Sequence, residues 1–184
     1  MSVAVKPRLL LHCCCAPCTS YVLEALLPDY QITLLFYNPN IEPREEFDKR
    51  KNELKYLLEK TSMQSDVALL ECEYDNAVFG NAVLSLQREP EGGARCGICF
   101  ELRLVETARR AAQGEYDVFA TTLSVSPHKN AALLNEIGEK TAKEHSTVYL
   151  KSDFKKNNGY LRSIELSKKY SLYRQEYCGC KNEC

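Results

Sequence analysis

Five short β-rich runs, each followed by a stretch of helical character, divide this chain. The runs are Arg8–His12, Ile32–Phe36, Val67–Glu71, Val118–Thr122 and Thr147–Leu150. The helical stretches cover Thr19–Leu27, a charged segment from Pro43 to Lys60, Asn76–Leu86, Gly97–Gln113, Asn130–Glu144 and Tyr160–Tyr170. Strands alternating with helices predict an α/β fold, a doubly wound parallel sheet of about five strands with helices on both faces. In such sheets ligands bind beyond the carboxyl ends of the strands. The residues just after each strand therefore carry the functional signal.

The first strand leads directly into His12-Cys13-Cys14-Cys15-Ala16-Pro17-Cys18. A second group, Arg95-Cys96-Gly97-Ile98-Cys99, opens a helix after the Gly-rich loop Arg88–Arg95, and a third, Tyr177-Cys178-Gly179-Cys180, lies in the C-terminal tail. Ten cysteines in 184 residues would suggest a disulfide framework in a small secreted domain. This chain is long enough to bury a core without staples, and residues 1–184 read as one domain. Val3–Leu11 is short, is interrupted by Lys6, Pro7 and Arg8, and lacks a cleavage pattern, so it does not read as a secretory signal. No apolar run approaches the roughly 20 residues that span a bilayer. The expected location is the cytoplasm, without membrane contact, where thiols stay reduced.

Thiolates crowded side by side call for a strong local cation, and metal coordination supplies one. A CxxC at a helix start serves zinc sites, redox dithiols and iron–sulfur clusters alike. The redox-dithiol reading is the weakest, because this pair comes late in the chain. One structural zinc takes four ligands, whereas the three groups offer seven thiols: Cys14, Cys15, Cys18, Cys96, Cys99, Cys178 and Cys180. The surplus favours a cluster accompanied by a second metal or by reactive thiols. Cys72 reads as a small buried hydrophobe and Cys184 as a terminal bystander. Cys13 is the triplet member that strand alternation turns into the core, and His12 fits a hydrogen-bonded structural role better than ligation.

Charge is uneven along the chain. Residues 151–184 hold eight Lys and Arg against four acids, and the rest holds 16 against 21. A basic tail containing Tyr160, Tyr170, Tyr173 and Tyr177 is compatible with nucleic-acid contact, or with a solvated helix face.

These groups, together with Tyr37-Asn38-Pro39-Asn40-Ile41, Thr121-Thr122-Leu123-Ser124-Val125-Ser126-Pro127 and Leu172-Tyr173-Arg174-Gln175-Glu176-Tyr177, resemble in order the cobalamin-independent epoxyqueuosine reductases. The resemblance implies a fold similar to the adenine-nucleotide α-hydrolase group. It also implies reduction of the epoxide of epoxyqueuosine, at the wobble position of a tRNA anticodon loop, to the alkene of queuosine. Cys14, Cys15, Cys96, Cys99, Cys178 and Cys180 would be metal ligands of a [4Fe–4S] cluster with a second iron beside it. Cys18 stands where relatives are expected to carry Asp, so its ligation follows less directly, and an external electron donor is required. The related ATP-pyrophosphatases cradle phosphate on a glycine-rich loop after the first strand. Here that place holds cysteines and no glycine, which argues against a nucleotide cradle. For protonation of the epoxide oxygen the candidates are Tyr37, Tyr177 and Asp153, with His12 also considered. Arg95 and Arg174 are candidates for tRNA phosphate or cluster charge, and Lys155, Lys156 and Arg162 for tRNA phosphate.

Overall fold

The computed structural model describes residues 5–180; Lys181 of the basic tail and Cys184 lie outside the described residues. Its strands are β1 (Arg8–His12), β2 (Gln31–Phe36), β3 (Ala68–Glu71) and β4 (Val118–Thr121), all parallel, in the order β3-β2-β1-β4. The helices are α1 (Ala16–Leu26), α2 (Arg44–Lys60), α3 (Asn76–Ala82), α4 (Ala94–Gln113), α5 (Ala131–Glu144) and α6 (Gly159–Lys169), with 3-10 turns at Leu84–Leu86 and Thr122–Val125. Among the described residues no helix is long and apolar enough to cross a membrane.

Strand alternation builds two cores. Leu9 and Leu11 of β1, Ile32, Leu34 and Phe36 of β2, and Ala120 of β4 pack with Val22 and Leu23 of α1 and Phe47, Leu54 and Leu57 of α2. On the opposite face Leu10, Leu35 and Phe119 pack with Phe100, Leu104 and Ala108 of α4 and Leu134 of α5. β1 is buried on both sides, which accounts for its unbroken apolar run. Burial of these side chains contributes on the order of 1.5–3 kcal/mol each relative to exposure.

The expected doubly wound architecture holds with one strand fewer. Thr147–Leu150 does not join the sheet as a strand; it makes one parallel bridge between Tyr149 and Phe119. Phe119 donates to Val148 O and Leu150 donates to Phe119 O, both at 2.9 Å, and the pairing stops there. The bulk of Tyr149 is seated against α5, where a Cβ on Gly138 would lie 2.5 Å from the ring. Three shorter differences have local causes. Thr122 leaves β4 for the 3-10 turn, α3 ends at Ala82 after Gly80 and Asn81, and α1 starts at Ala16 because Pro17 suits a first turn. Cys18 is thereby helical.

The chain runs β1 to β2 to β3 on one side and then returns to β4 on the other side of β1. The switch point lies between β1 and β4, and it is the carboxyl ends there that form a crevice. Cys13–Cys15 come directly after β1, and Ser126–Lys129 come directly after the turn that ends β4. The site is placed by topology.

Candidate metal centre

The three cysteine groups reach this crevice by different routes. Cys15 caps the N-terminus of α1 and Cys18 lies in its first turn; Cys96 and Cys99 lie in the first two turns of α4. Helix N-termini favour thiolate over thiol. Gly92 N–H donates to Cys96 Sγ at 3.2 Å.

The C-terminal pair arrives because the tail folds back over α2. Arg50, fully buried, bonds Glu46 at 2.6 Å and donates to the carbonyls of Cys178 and Tyr177 at 3.1 and 3.2 Å. Tyr173 N–H donates to Glu53 Oε1 at 2.8 Å, and the Tyr173 hydroxyl donates to Glu46 Oε2 at 3.1 Å. Glu42 N–H donates to Gly179 O at 2.7 Å. Gly179 has φ +117, and an added Cβ would meet Arg50 Nη1 at 3.1 Å, so only glycine suits the turn between the two cysteines. The charged helix α2 is the clamp for the tail.

Two adjoining cavities result. One, of about 370 Å³, is bordered by Cys14, Cys15, Cys18 and Cys178. The other, of about 580 Å³, is bordered by Cys96, Cys99, Cys178 and Cys180. Cys178 belongs to both, and between them the two cavities take in the seven thiols expected at the site. Among the described residues no three Cys, His, Asp or Glu side chains gather as the ligands of one small ion do.

Electrostatics test the fit. Arg103 is 1% exposed, and it donates to Cys99 Sγ at 3.0 Å and Cys99 O at 3.1 Å. Lys129 points at Cys178 Sγ, 3.6 Å away. Neither cation has a carboxylate partner among the described residues. Burial lowers Lys129, but the Cys178 and Cys14 sulfurs outweigh it and hold the ammonium above its ordinary value. A buried guanidinium and a half-buried ammonium facing sulfur call for anionic sulfur.

The thiols divide accordingly. Cys178 is well below the usual thiol range, chiefly because Cys180 donates to it and then because Lys129 and Arg103 are near. Cys180, as that donor, is held up. Cys14 is well above the range through its bond to Cys15 and through burial. Cys15 is pushed up to about 11: the bond from Cys14 favours its thiolate, but the bond shared with Cys18 and burial outweigh it. Burial pushes Cys99 to about 11 against the pull of Arg103. Such thiols ionise when a metal provides positive charge. The donor set and the two cations beside it fit an anionic thiolate-bound metal group.

The remaining expected residues fall in several places. Cys13 is buried in the core of the α1/α2 face, with Sγ 3.5 Å from Leu35 O. His12 is buried and uses both nitrogens. Nε2 donates to Tyr37 O at 3.1 Å, so Nδ1 accepts from Thr121 Oγ1 at 2.9 Å. Burial and then Arg103 push His12 down to about 3. It is a neutral brace between β1, β4 and the loop after β2. Cys72 is half-buried rather than buried and borders neither cysteine cavity. Tyr177 borders both cavities; Tyr37 and Asp153 border neither. Asp153 pairs with Lys155 at 2.9 Å, and Tyr37 faces Glu106 and Cys72. Arg95 is buried against the second cavity, 5.7 Å over the Phe79 ring, and Arg174 borders the first. Lys155, Lys156 and Arg162 border neither. Sequence reasoning missed Lys129, two residues beyond the Thr121–Pro127 motif, and Arg103, four residues beyond Cys99 and hence one helical turn above it.

Comparison with known proteins points to one family. A family model described as "Epoxyqueuosine reductase QueH" matches residues 9–182. Proteins named epoxyqueuosine reductase QueH match from Streptococcus pyogenes serotype M1 (43% identity over 179 residues, 96% of this chain and 70% of that one) and from Staphylococcus epidermidis (42% over 179 residues, 95% and 75%). The one from Thermotoga maritima is 31% identical over 171 residues, covering 93% of this chain and 87% of its own. A crystal structure described as a predicted subunit of tRNA methyltransferase from Methanocaldococcus jannaschii shares the fold, with TM-score 0.52 at 12% identity, over 88% of this chain and 76% of that chain. With the family match spanning nearly the whole chain and the relatives above 30% identity, this chain belongs to the epoxyqueuosine reductase QueH family.

Proposed function

We propose that this chain is an oxidoreductase of tRNA processing that converts epoxyqueuosine to queuosine in tRNA, the last step of queuosine biosynthesis, in the cytoplasm. The observation that carries the reading is the gathering of seven thiols from three distant segments around two cavities that share Cys178. An epoxide that takes up two electrons and two protons gives an alkene and one water. Side chains of the standard kinds do not deliver electrons, so the chain needs a redox group and an external one-electron donor.

Cys14, Cys15, Cys96, Cys99, Cys178 and Cys180, with Cys18 in the same lining, would hold a [4Fe–4S] cluster and a second iron. Bound there, this group supplies electrons singly and a Lewis acid for the epoxide oxygen. The chain's own residues do the rest. Arg103 and Lys129 balance sulfur charge inside the protein. Tyr177, whose hydroxyl donates to Glu42 O at 3.3 Å, and Lys129 are two proton-bearing side chains on the cavity wall that suit protonation of the departing oxygen. Tyr37 and Asp153 would reach it only through intervening groups.

The test is analysis of anaerobically purified, untagged protein, followed by single turnover on tRNA carrying epoxyqueuosine with a low-potential reductant. At least four irons and about four acid-labile sulfides per chain are expected, as a cubane requires, with queuosine formed. Stoichiometric zinc without sulfide, or cluster-loaded protein that leaves the epoxide intact, overturns the reading.

A further inference from the structure

The cations of the C-terminal segment look alike in sequence, and the structure separates them. Lys151 pairs with Glu139 at 3.1 Å, Lys155 with Asp153 at 2.9 Å, and Arg162 with Glu24 and Glu165 at 2.9 Å each. Lys156 lies 3.8 Å from Asp153. None of the four borders a cysteine cavity.

Arg174 differs on both counts. It meets no carboxylate among the described residues, donates to Ser167 Oγ at 3.3 Å, and lies 5.9 Å over the Tyr160 ring. Arg174, Tyr160 and Tyr177 border the same cavity as Cys14, Cys15 and Cys18, and Tyr177 is 44% exposed. Gln175, on the same wall, has a buried carboxamide oxygen that no donor among the described residues reaches. A ligand N–H or O–H that reached this oxygen would satisfy it. Single-stranded nucleotides are held in this manner: aromatic and guanidinium planes stack the base while guanidinium N–H groups take phosphate.

We propose that this cavity is the entrance for one splayed-out nucleotide. Arg174 binds its phosphate, Tyr160 and Tyr177 flank its base, and Gln175 Oε1 accepts a hydrogen bond from it. The inference rests on the reading of the chain as acting on a wobble base in tRNA, and it selects Arg174 over the paired cations Lys151, Lys155, Lys156 and Arg162.

The experiment measures binding of an epoxyqueuosine-bearing anticodon stem-loop to the metal-loaded protein over a range of salt. Wild type is compared with Arg174→Gln, Tyr160→Leu and Lys155→Ala/Lys156→Ala, each checked by thermal melting. Arg174→Gln is expected to lower the log–log salt slope by about one. Tyr160→Leu is expected to weaken binding about five-fold or more with the slope kept, because stacking is worth ~1–3 kcal/mol per base. The double lysine variant should match wild type. An unchanged slope in folded Arg174→Gln, or a slope lost in the double lysine variant instead, overturns the proposal. Turnover by the wild-type protein is scored separately. A wild type that yields queuosine while Arg174→Gln binds with full slope removes this entrance and leaves the reductase reading standing. A wild type that binds with the expected pattern but leaves the epoxide intact does the reverse.

Discussion

Arg50 donates from Nη1 to the carbonyl oxygen of Cys178 at 3.1 Å, tying the middle of α2 to a residue 128 positions later. The same guanidinium holds Glu46 and the Tyr177 carbonyl, all in a buried setting. Removing one member of a buried pair leaves the other charge without compensation, a loss of about 3–5 kcal/mol. Arg50→Ala should therefore unfold at lower urea concentration and expose the segment after Tyr173 to protease. Replacing both partners, as Arg50→Met/Glu46→Leu, should recover much of the stability without restoring the tail, because the carbonyl acceptors remain unpaired. Urea melts and limited proteolysis on both proteins check this. An Arg50→Ala protein with wild-type resistance would show that the tail holds itself.

The C-terminal pair meets the rest of the site through that clamp, while the sheet and its two cores are built without it. Cys178→Ser and Cys180→Ser should each remain soluble and cooperatively folded, with iron content reduced or altered and reduction of epoxyqueuosine abolished. Melting, iron analysis and single turnover on the same samples decide the matter. Unfolded variants would indicate a structural metal, in which all ligands are needed for folding, and near wild-type turnover would remove the segment from the centre.

His12 gives a pH signature of the fold. Burial and Arg103 hold its pKa at about 3 in the folded chain, against about 6.5 unfolded. Between those values the unfolded chain binds the extra proton, so stability rises with pH across the window and is lost as pH falls from about 6.5 towards 3. The slope is at most about 1.4 kcal/mol per pH unit. His12→Gln, which can still donate to Tyr37 O, should flatten this part of the profile in metal-free protein. An identical acid limb in the variant would assign the loss to other groups.

The alternation of strands and helices was legible because β1 and β2 are buried runs with helical stretches after them, and the crevice was legible from the cysteines after His12. The fifth strand was not: Val148 and Tyr149 have β character, but one bridge to Phe119 is all the pairing that they make. That the three cysteine groups belong to one site was legible from their number and from the family resemblance. Their supports were not, since Arg50, Glu46 and Arg103 are charged residues, and the burial of such residues in pairs or against sulfur is a tertiary property. The C-terminal cations misled for the mirror-image reason. Composition counts Lys155 and Arg162 as free charge, whereas acids such as Asp153 and Glu24 already hold them.

Lys129, which no sequence motif singles out, reaches further into the cysteine site than any C-terminal lysine among the described residues. Its ammonium is 3.6 Å from Cys178 Sγ. Cys178 owes its low pKa first to the hydrogen bond from Cys180 and then to Lys129 and Arg103. A neighbouring cation at this range lowers a thiol by about 1–3 pH units. In metal-free protein Cys178 should thus be the thiolate that reacts fastest with iodoacetamide at neutral pH, ahead of Cys14, Cys15 and Cys99, which are held up. Lys129→Met should shift the pH dependence of that alkylation upward by about a unit or more. Cys180→Ala should shift it further, and Lys129→Arg should restore most of the wild-type profile. Mass spectrometry of modified peptides across a pH series gives each profile. Equal reactivity of the four thiols, or a Lys129→Met profile that overlays wild type, would show that the ammonium does not set the charge of this sulfur.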